Sequence, residues 1–443
     1  MDQLLNIHLF SSTLECYDYR KKYHVGGTMI NGLKQLFIPY KGLPKEIYII
    51  FIARIMNSLG GFVNPLLVLI LTQKVGLDTG IAGTYITFIS VIAVPGLLLG
   101  GKLTDLFNRK WIIFACQGLG AFIYIAVGFV SPSMLMVYMI MAASFFFIMC
   151  SPAYDAILAD LTSPDNRKGA YSLVYMGWNI GFAVGPAIAG LLFKDYLSLI
   201  FIIDGICTLF ATTLIVIFIK ETKRTVTETD RVLEQNVEGS IFKVLLSRPI
   251  LIMFALILLC IEFAYTQWSF SIPLHLDELF GDIGASYFGI LASFNGILVI
   301  IFTPILTRIT QKARPIRVIS SGALCYAIAF GMLAFTTVLP LFYLSIFIMT
   351  VGEILIAINA ATFMANMTPA SHRGRMSSIL PLLIGTGNAT SPMIMGNYIS
   401  AHSIASAWVL IGTLSFLSAA LMWILQRSAN KYVTVHHDET VAH

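Results

Sequence analysis

The amino-acid sequence predicts an all-α membrane protein whose twelve transmembrane helices form two pseudo-symmetric six-helix bundles. Three observations support this prediction: the composition, the number of long apolar runs, and the placement of the basic residues. The chain has 443 residues, of which 57% are hydrophobic and 12% are charged, whereas soluble domains carry about 25% charged residues. A soluble protein of this composition would expose large apolar surfaces to water, so a lipid bilayer is the expected surrounding.

Apolar runs long enough to cross a bilayer occur twelve times in the chain. A spanning helix needs roughly 20 mostly apolar residues. The runs of that kind are 46–71, 79–101, 111–130, 134–158, 171–193, 197–219, 249–274, 284–306, 316–336, 340–362, 374–398 and 403–425. Only the segment between the sixth and seventh runs is long and polar, so we expect it to link two sets of six helices.

The division of the chain follows from these runs. We predict five segments: a cytoplasmic N-terminal tail at 1–45, a six-helix bundle at 46–219, a cytoplasmic linker at 220–248, a second six-helix bundle at 249–425 and a cytoplasmic C-terminal tail at 426–443. Residues 1–28 match no signal peptide. They are interpreted either as a polar tail or as the product of a misassigned start site, with Met29 as the native first residue.

The basic residues orient these segments. Of the 28 Lys and Arg residues, 25 lie in the even-numbered loops and the tails, Lys74 and Lys194 lie in odd-numbered loops, and Arg54 lies inside the first run. Loops rich in Lys and Arg face the cytoplasm, so the pattern predicts a multi-pass protein of the bacterial cytoplasmic membrane with both termini inside. Because orientation accounts for the basic charge, no nucleic-acid partner is expected.

An internal repeat relates the two predicted bundles. A shift of 206 residues aligns two segments without a gap, and the pairs include Arg167 with Arg373, Gly181 with Gly387, and Pro186 with Pro392. Transporters are commonly built from duplicated helical units, so the shift predicts a duplicated six-helix unit. The alternative is chance similarity between helices that are rich in Gly and Ala.

The loop after the second run reads Gly101-Lys102-Leu103-Thr104-Asp105-Leu106-Phe107-Asn108-Arg109-Lys110. It resembles the Gly-x-Leu-x-Asp-x-x-Gly-Arg-Lys signature of the major facilitator superfamily, with Asn108 in place of the second Gly. Asn tolerates a positive φ angle, so we expect the tight turn to persist. The resemblance implies the major facilitator fold, in which two six-helix domains rock around a central cavity.

The same resemblance implies a gating cluster. This cluster would latch the two halves together in the outward-open state and so favour that state. The latch would break in the other conformation. Its members would be Gly101, Asp105, Arg109, Lys110, Asp160 and Arg167. The alternative is that these charges are solvated and only set the orientation in the membrane.

The fifth run contains a second motif, made of Gly181, Gly185, Pro186 and Gly190. It resembles the Gly-rich signature of the drug:proton antiporter families, although Ala189 and Ser172 stand where that signature has Gly. Small residues four apart let helices approach closely, and Pro removes a backbone hydrogen bond and kinks the helix. The resemblance favours export, and ordinary close packing is the alternative.

Ionisable residues inside the runs are expensive, at about 2.5–3.5 kcal/mol at the bilayer centre. Glu262 and Glu353 lie near the plane where transporters bind substrate. A carboxyl in an apolar setting favours its neutral form, which suits a proton carrier, and a structural hydrogen bond or ion pair is the alternative. Arg54, Asn57 and Asp155 are further candidates. Arg54 is interpreted as a partner of an acid, as a site for an anionic substrate, or as a side chain that reaches the cytoplasmic face.

Several other polar and aromatic side chains within the runs are expected to line a cavity. They are Trp178, Asn179, Tyr265, Gln267, Trp268, Asn295, Asn359 and Asn388. The sequence has no nucleotide-binding or hydrolase motif, so we predict no enzyme activity, no cofactor and no metal.

These features together predict a monomeric secondary transporter in the lipid bilayer that moves a small organic compound by alternating access, through proton-coupled efflux. Proton-coupled uptake of a sugar, peptide or amino acid, a lipid flippase, and a receptor that does not transport stay open as alternatives.

Overall fold

The computed structural model describes residues 42–162, 164–220, 249–310, 313–367 and 373–441. Every regular element in those residues is a helix. The expectations about residues 1–28 and almost all of the predicted linker fall outside the described residues.

The first six spans precede residue 220, and several of them are interrupted helices. Their bounds are Lys45–Leu59, Val63–Leu69 and the π-helical Ile70–Lys74 for span 1, Thr79–Leu106 for span 2, Arg109–Ile112, the π-helical Ile113–Gln117 and Gly118–Val127 for span 3, Met134–Met149 and Ser151–Asp160 for span 4, Pro164–Phe182 and Gly185–Leu192 for span 5, and Leu197–Phe218 for span 6.

The last six spans are longer and mostly continuous. Their bounds are Pro249–Phe280 for span 7, Gly284–Thr310 for span 8, Pro315–Leu333 for span 9, Leu339–Met367 for span 10, Arg373–Ala401 for span 11 and Ile404–Val441 for span 12. A short 3-10 turn at Gly281–Ile283 joins spans 7 and 8.

The described helices give the predicted number of twelve spans once one long stretch is divided and span 11 is added. Ten helical stretches of the described residues are long and apolar enough to cross a membrane, and one of them, Pro249–Thr310, has 62 residues. That stretch contains two spans, because Gly281 at φ 55° breaks the helix and Gly284 packs back against Leu276. Span 11 is richer in polar residues and completes the set of twelve.

The contacts between the first and last six spans are related by the same shift of 206 residues. A Cβ added to Gly83 of span 2 would collide with the carbonyl oxygen of Pro392 in span 11, and a Cβ added to Gly289 of span 8 would collide with the carbonyl oxygen of Pro186 in span 5. Gly289 lies 206 residues after Gly83, and Pro392 lies 206 residues after Pro186. The two seams are therefore pseudo-symmetric copies of each other.

Packing inside each half repeats as well. Gly181 of span 5 abuts the carbonyl of Ile55 and the amide of Leu59 in span 1, and Gly387 of span 11 abuts the carbonyl of Leu259 in span 7. Both glycines thus let two backbones approach more closely than a side chain would allow.

Two polar bridges cross between the halves at the end where spans 2 and 8 begin, which we name the far end. Lys194 pairs with Asp282 at 2.9 Å, and the Ser400 hydroxyl donates to Asp78 at 2.8 Å. Ser400 follows Lys194 by 206 residues, so the bridges also obey the pseudo-symmetry. The opposite end carries Arg109 and the neighbouring basic residues and is named the basic end. This conformation is therefore closed at the far end.

Candidate functional site

A cavity of about 520 Å³ lies within the first half of the chain, and all of its lining residues belong to spans 1–6. Three of the predicted site residues line it: Arg54, Asn57 and Trp178. Trp178 is 44% exposed, so solvent reaches the cavity. Its volume lies within the range of roughly 300–1,000 Å³ that is usual for small-molecule sites.

Arg54 projects into this cavity from span 1. Its guanidinium carbon lies 5.1 Å from the ring centroid of Tyr154 in span 4, a distance typical of a cation–π contact. Asp155 is exposed and close enough to attract Arg54 electrostatically, but it forms no ion pair with it among the described residues. Of the three interpretations of Arg54, the position inside the cavity favours a substrate contact over reach to the cytoplasmic face.

Asp204 of span 6 is buried and has a structural partner that the sequence did not indicate. Its Oδ2 accepts hydrogen bonds from the backbone amides of Phe62 at 3.1 Å and Val63 at 3.2 Å. These amides begin the second helix of span 1, whose first turn has no other intrahelical acceptor for them. The carboxylate thus caps the helix after the interruption at Gly60, and Asn57 donates to the nearby Thr208 at 3.4 Å.

Glu353 lies in the middle of span 10, where three predicted residues meet. One carboxyl oxygen accepts from the Tyr265 hydroxyl of span 7 at 2.9 Å, and the other accepts from the Asn295 amide of span 8 at 3.0 Å. Asn295 also donates to Thr350 at 2.8 Å. Both partners of the carboxyl are neutral, so its charge is not balanced by either of them.

Glu262 of span 7 occupies a second polar cluster. The side-chain amide of Asn388 in span 11 donates to its carboxyl at 3.0 Å, and the Thr266 hydroxyl donates to the side-chain oxygen Oδ1 of Asn388. Glu262 is close enough to Glu353 for two negative charges to repel each other. The ion pairs of the described residues lie elsewhere, so both carboxyls have neutral hydrogen-bond donors only.

Three of the cavity candidates are buried and have partners within the fold. Asn179 is buried and donates to the carbonyl of Tyr175 at 2.9 Å, and Asn359 is buried and donates to the carbonyl of Leu355 at 2.8 Å. Each amide is thereby satisfied by its own helix. Trp268 is buried against other aromatic side chains of the core. These three residues are not among those that line the cavity of the first half, and their place in another cavity stays a prediction.

The loop after span 2 forms contacts within the first half. Arg109 pairs with Asp160 and donates to the carbonyl of Ala156 at 3.1 Å, and Lys110 donates to the carbonyl of Ile219 at 3.1 Å. Spans 3, 4 and 6 all precede the linker, so in this conformation these contacts join helices of the first half. The latch between the halves is expected in the outward-open state and stays a prediction. The side chains of Asp105 and Arg167 lie outside the described residues.

Two expectations about single positions in the motifs also have clear outcomes. Asn108 has φ −62°, and its side chain accepts from the amide of Lys110. The expected positive φ is therefore wrong, and Asn108 instead caps the helix that begins span 3. In span 5 the predicted kink is present, because the helix ends at Phe182 and restarts at Gly185 with Pro186 in its first turn.

Sequence reasoning missed the polar contacts that join separate helices of the second half. Ser391 donates to the carbonyl of Phe263 at 2.8 Å and contacts Gln267, and Trp408 donates to His275 at 3.1 Å. These residues stand singly in apolar runs. The one signal in the sequence was that each is a polar side chain at membrane depth, which predicts a partner without naming it.

Comparisons with known proteins agree with the fold and the duplicated architecture. The family model described as Major Facilitator Superfamily matches residues 50–358 and 270–440. The chain belongs to the Major Facilitator Superfamily. It is therefore a multi-pass membrane transporter, and the expected family resemblance is confirmed.

Several superfamily members show the range of functions found on this fold. A Na(+), Li(+), K(+)/H(+) antiporter of Planococcus maritimus is 23% identical over 375 residues, which cover 76% of this chain and 85% of the relative. The class H tetracycline resistance protein of Pasteurella multocida is 29% identical over 140 residues, covering 30% of this chain and 33% of the relative. The crystal structure of the nucleoside transporter NupG (D323A mutant) matches with a TM-score of 0.71 and 13% identity, covering 86% of this chain and 99% of NupG.

Proposed function

We propose that this transporter exports a small organic compound across the bacterial cytoplasmic membrane in exchange for protons. The observation that carries the proposal is the setting of Glu353, a mid-span carboxyl held by Tyr265 and Asn295 without a cation. An unbalanced negative charge at this depth is costly, so binding a proton stabilises the carboxyl. The hydroxyl and amide donors can hold the carboxylate when the proton leaves.

Glu262 supplies a second step of the proposed cycle. Its carboxyl and that of Glu353 repel each other when both are charged, so the pair favours holding at least one proton. A proton that binds to one acid removes a charge from the cavity and so lowers the free-energy cost of one rocking step. Release on the other side restores the charge, which couples proton flow to the conformational change.

The sides of the membrane follow from the placement of Lys and Arg. The basic end faces the cytoplasm by the positive-inside rule, and both termini lie there. With the far end closed, the present conformation is then open toward the cytoplasm. The halves 46–219 and 249–425 would rock as units, so that the seams at Gly83 and Gly289 separate when the far end opens.

Export rather than uptake is supported by two features. The helix-five residues Gly181, Gly185, Pro186 and Gly190 form the kinked, closely packed element that the antiporter signature describes. One relative is named as a cation/proton antiporter and another as a tetracycline resistance protein. Uptake with protons is the rival function on the same fold.

The test is a flux experiment in proteoliposomes. A ligand-stabilisation screen on the purified chain first finds a compound that binds. The compound is then placed on one side, and a pH-sensitive dye inside the vesicles follows protons. Antiport predicts that protons move opposite to the compound. Movement of protons with the compound would replace the proposal by symport, and flux without any proton movement would remove the proposed coupling.

A further inference from the structure

The cavity of the first half contains a single basic side chain. Among its described lining residues, Arg54 is the one Lys or Arg, and Asp204 is the one acid. The Asp204 oxygen Oδ2 is already occupied by the amides of Phe62 and Val63. Asp204 is also buried, so the side chains that a ligand can reach for hydrogen bonds are the Arg54 guanidinium and neutral polar groups.

Arg54 forms no ion pair among the described residues, although Asp155 is close enough to attract it electrostatically. The Tyr154 ring faces its guanidinium carbon at 5.1 Å, but a ring does not accept the five N–H groups of the fork. Within the described parts of the chain, the ion pairs involve Arg109 and Lys194 and not Arg54. A planar guanidinium matches a carboxylate through two parallel hydrogen bonds. The missing partner is thus best supplied by an anionic ligand.

A flat aromatic platform lies beside this cation. Trp178 and Phe182 of span 5 line the same cavity and are stacked, with centroids 5.1 Å apart and planes 10° apart. The Ser58 hydroxyl donates to the carbonyl of Trp178 at 2.7 Å, which fixes the platform against span 1. Ser58 follows Arg54 by one helical turn, roughly 6 Å along the axis. Cation and platform are therefore neighbours in the cavity.

We propose that the cavity of the first half binds small planar aromatic anions, with the anionic group on Arg54 and the ring against Trp178 and Phe182. This substrate class rests on the proposed function only in taking this cavity as part of the transport path. A volume of about 520 Å³ holds one compound of this kind. The second half, with its carboxyls, then carries the proton while the first half carries the compound.

Equilibrium binding to the purified full-length chain tests the substrate class without any proton gradient. Three probes share one ring system and differ in charge: naphthoate, naphthylmethanol and naphthylmethylamine. Isothermal titration calorimetry is expected to show the tightest binding for naphthoate. Arg54→Gln is expected to weaken naphthoate by at least about tenfold and to change naphthylmethanol by less than about twofold. Trp178→Leu is expected to weaken all three probes.

Two further variants keep this test decisive. Arg317→Gln removes an exposed Arg outside the cavity and is expected to leave naphthoate binding unchanged. Arg54→Lys keeps a cation and is expected to retain part of the preference for naphthoate, which covers the case in which Arg54→Gln does not fold. Tighter binding of naphthylmethylamine, unchanged naphthoate binding in folded Arg54→Gln, or no binding of any probe would overturn the proposal. Since binding is read without flux, a failure of proton antiport leaves this result intact.

Discussion

Single charges inside the spans differ in what satisfies them. Asp204 accepts from two backbone amides, Glu353 accepts from two neutral side chains, and Arg54 faces an aromatic ring. The partners of Asp204 belong to the fold, so its role is structural. Glu353 and Arg54 form no ion pair among the described residues, and we propose that a proton and an anionic ligand respectively complete them.

Replacing Asp204 tests the structural assignment. Asp204→Ala leaves the amide of Val63 without its acceptor and leaves the amide of Phe62 with only the carbonyl of Gly60, which is expected to destabilise the protein by about 1–3 kcal/mol. Asp204→Asn retains a carbonyl oxygen and is expected to cost less. Thermal unfolding of the purified variants in one detergent measures both effects. A melting temperature of Asp204→Ala equal to that of the parent would contradict the capping role.

Replacing Glu353 tests the proton carrier. Glu353→Gln keeps the size of the side chain and one acceptor oxygen but cannot exchange a proton, so uphill transport driven by a proton gradient is expected to be lost while the protein stays folded. Glu278→Gln, at an exposed position near the end of span 7, is the matched control and is expected to transport normally. Unchanged uphill transport by folded Glu353→Gln would show that another group carries the proton.

The sequence indicates which single charged residues are costly to place inside a membrane span, but it does not indicate which side chains they contact. The depth of Glu353 follows from counting residues in an apolar run. Its partners Tyr265 and Asn295 lie on other spans, and no periodicity within one helix reports a contact between helices. Asp204 shows the same limit, because its role depends on an interruption at Gly60 in another span.

Glycines let helices approach closely at the seams between the halves. The Gly83 and Gly289 seams are copies related by one shift, and each places a glycine on the carbonyl of a proline in the other half. The duplication and the small residues are visible in the sequence, so the existence of twelve spans and of paired halves could be predicted. The pairs of duplicated helices that cross could not be predicted. A repeat aligns positions along the chain but does not tell which helix surfaces face each other.

A methyl group at one seam is expected to open the far end. Gly289→Ala places a Cβ against the carbonyl of Pro186 and so disfavours the conformation closed there. Spin labels at positions 196 and 283, which are exposed at the far end on opposite halves, are expected to report longer distances by pulsed electron resonance. Gly118→Ala in span 3 meets no atom within 4 Å and serves as the control. Equal distance distributions in Gly289→Ala and the parent would contradict the role of the seam.

Across the whole molecule, two polar bridges hold the far end closed. The Ser400 hydroxyl and the Gly80 amide hold the pKa of Asp78 below its ordinary value of 3.8. The Asp282 carboxylate holds the pKa of Lys194 above its ordinary value of 10.5. Because the pKa of Asp78 is lowered, its bridge stabilises the closed end above about pH 3.8, and this stabilisation is lost as the pH falls through the lowered pKa. Because the pKa of Lys194 is raised, its bridge stabilises the closed end below about pH 10.5, and this stabilisation is lost as the pH rises through the raised pKa.

The pH dependence of transport is therefore expected to arise away from the far end. Between about pH 5 and pH 9 both bridges keep their charges, so Asp78→Asn and Lys194→Met are expected to change the transport rate without changing the shape of its pH profile. Glu353→Gln is expected to flatten the profile over the same range. Transport rates in proteoliposomes across pH give the comparison, and a profile reshaped by Lys194→Met would place the pH-sensitive step at the far end.

Proton release on binding tests the central claim most directly. A compound from the screen is added to purified protein in a weakly buffered solution that contains a pH indicator. Antiport predicts that binding of the compound releases the proton held by Glu353, so the parent protein and Glu278→Gln acidify the solution, whereas Glu353→Gln does not. Acidification by Glu353→Gln equal to that of the parent, or proton uptake by the parent, would contradict the assignment of Glu353 as the carrier of an exported compound's counter-proton.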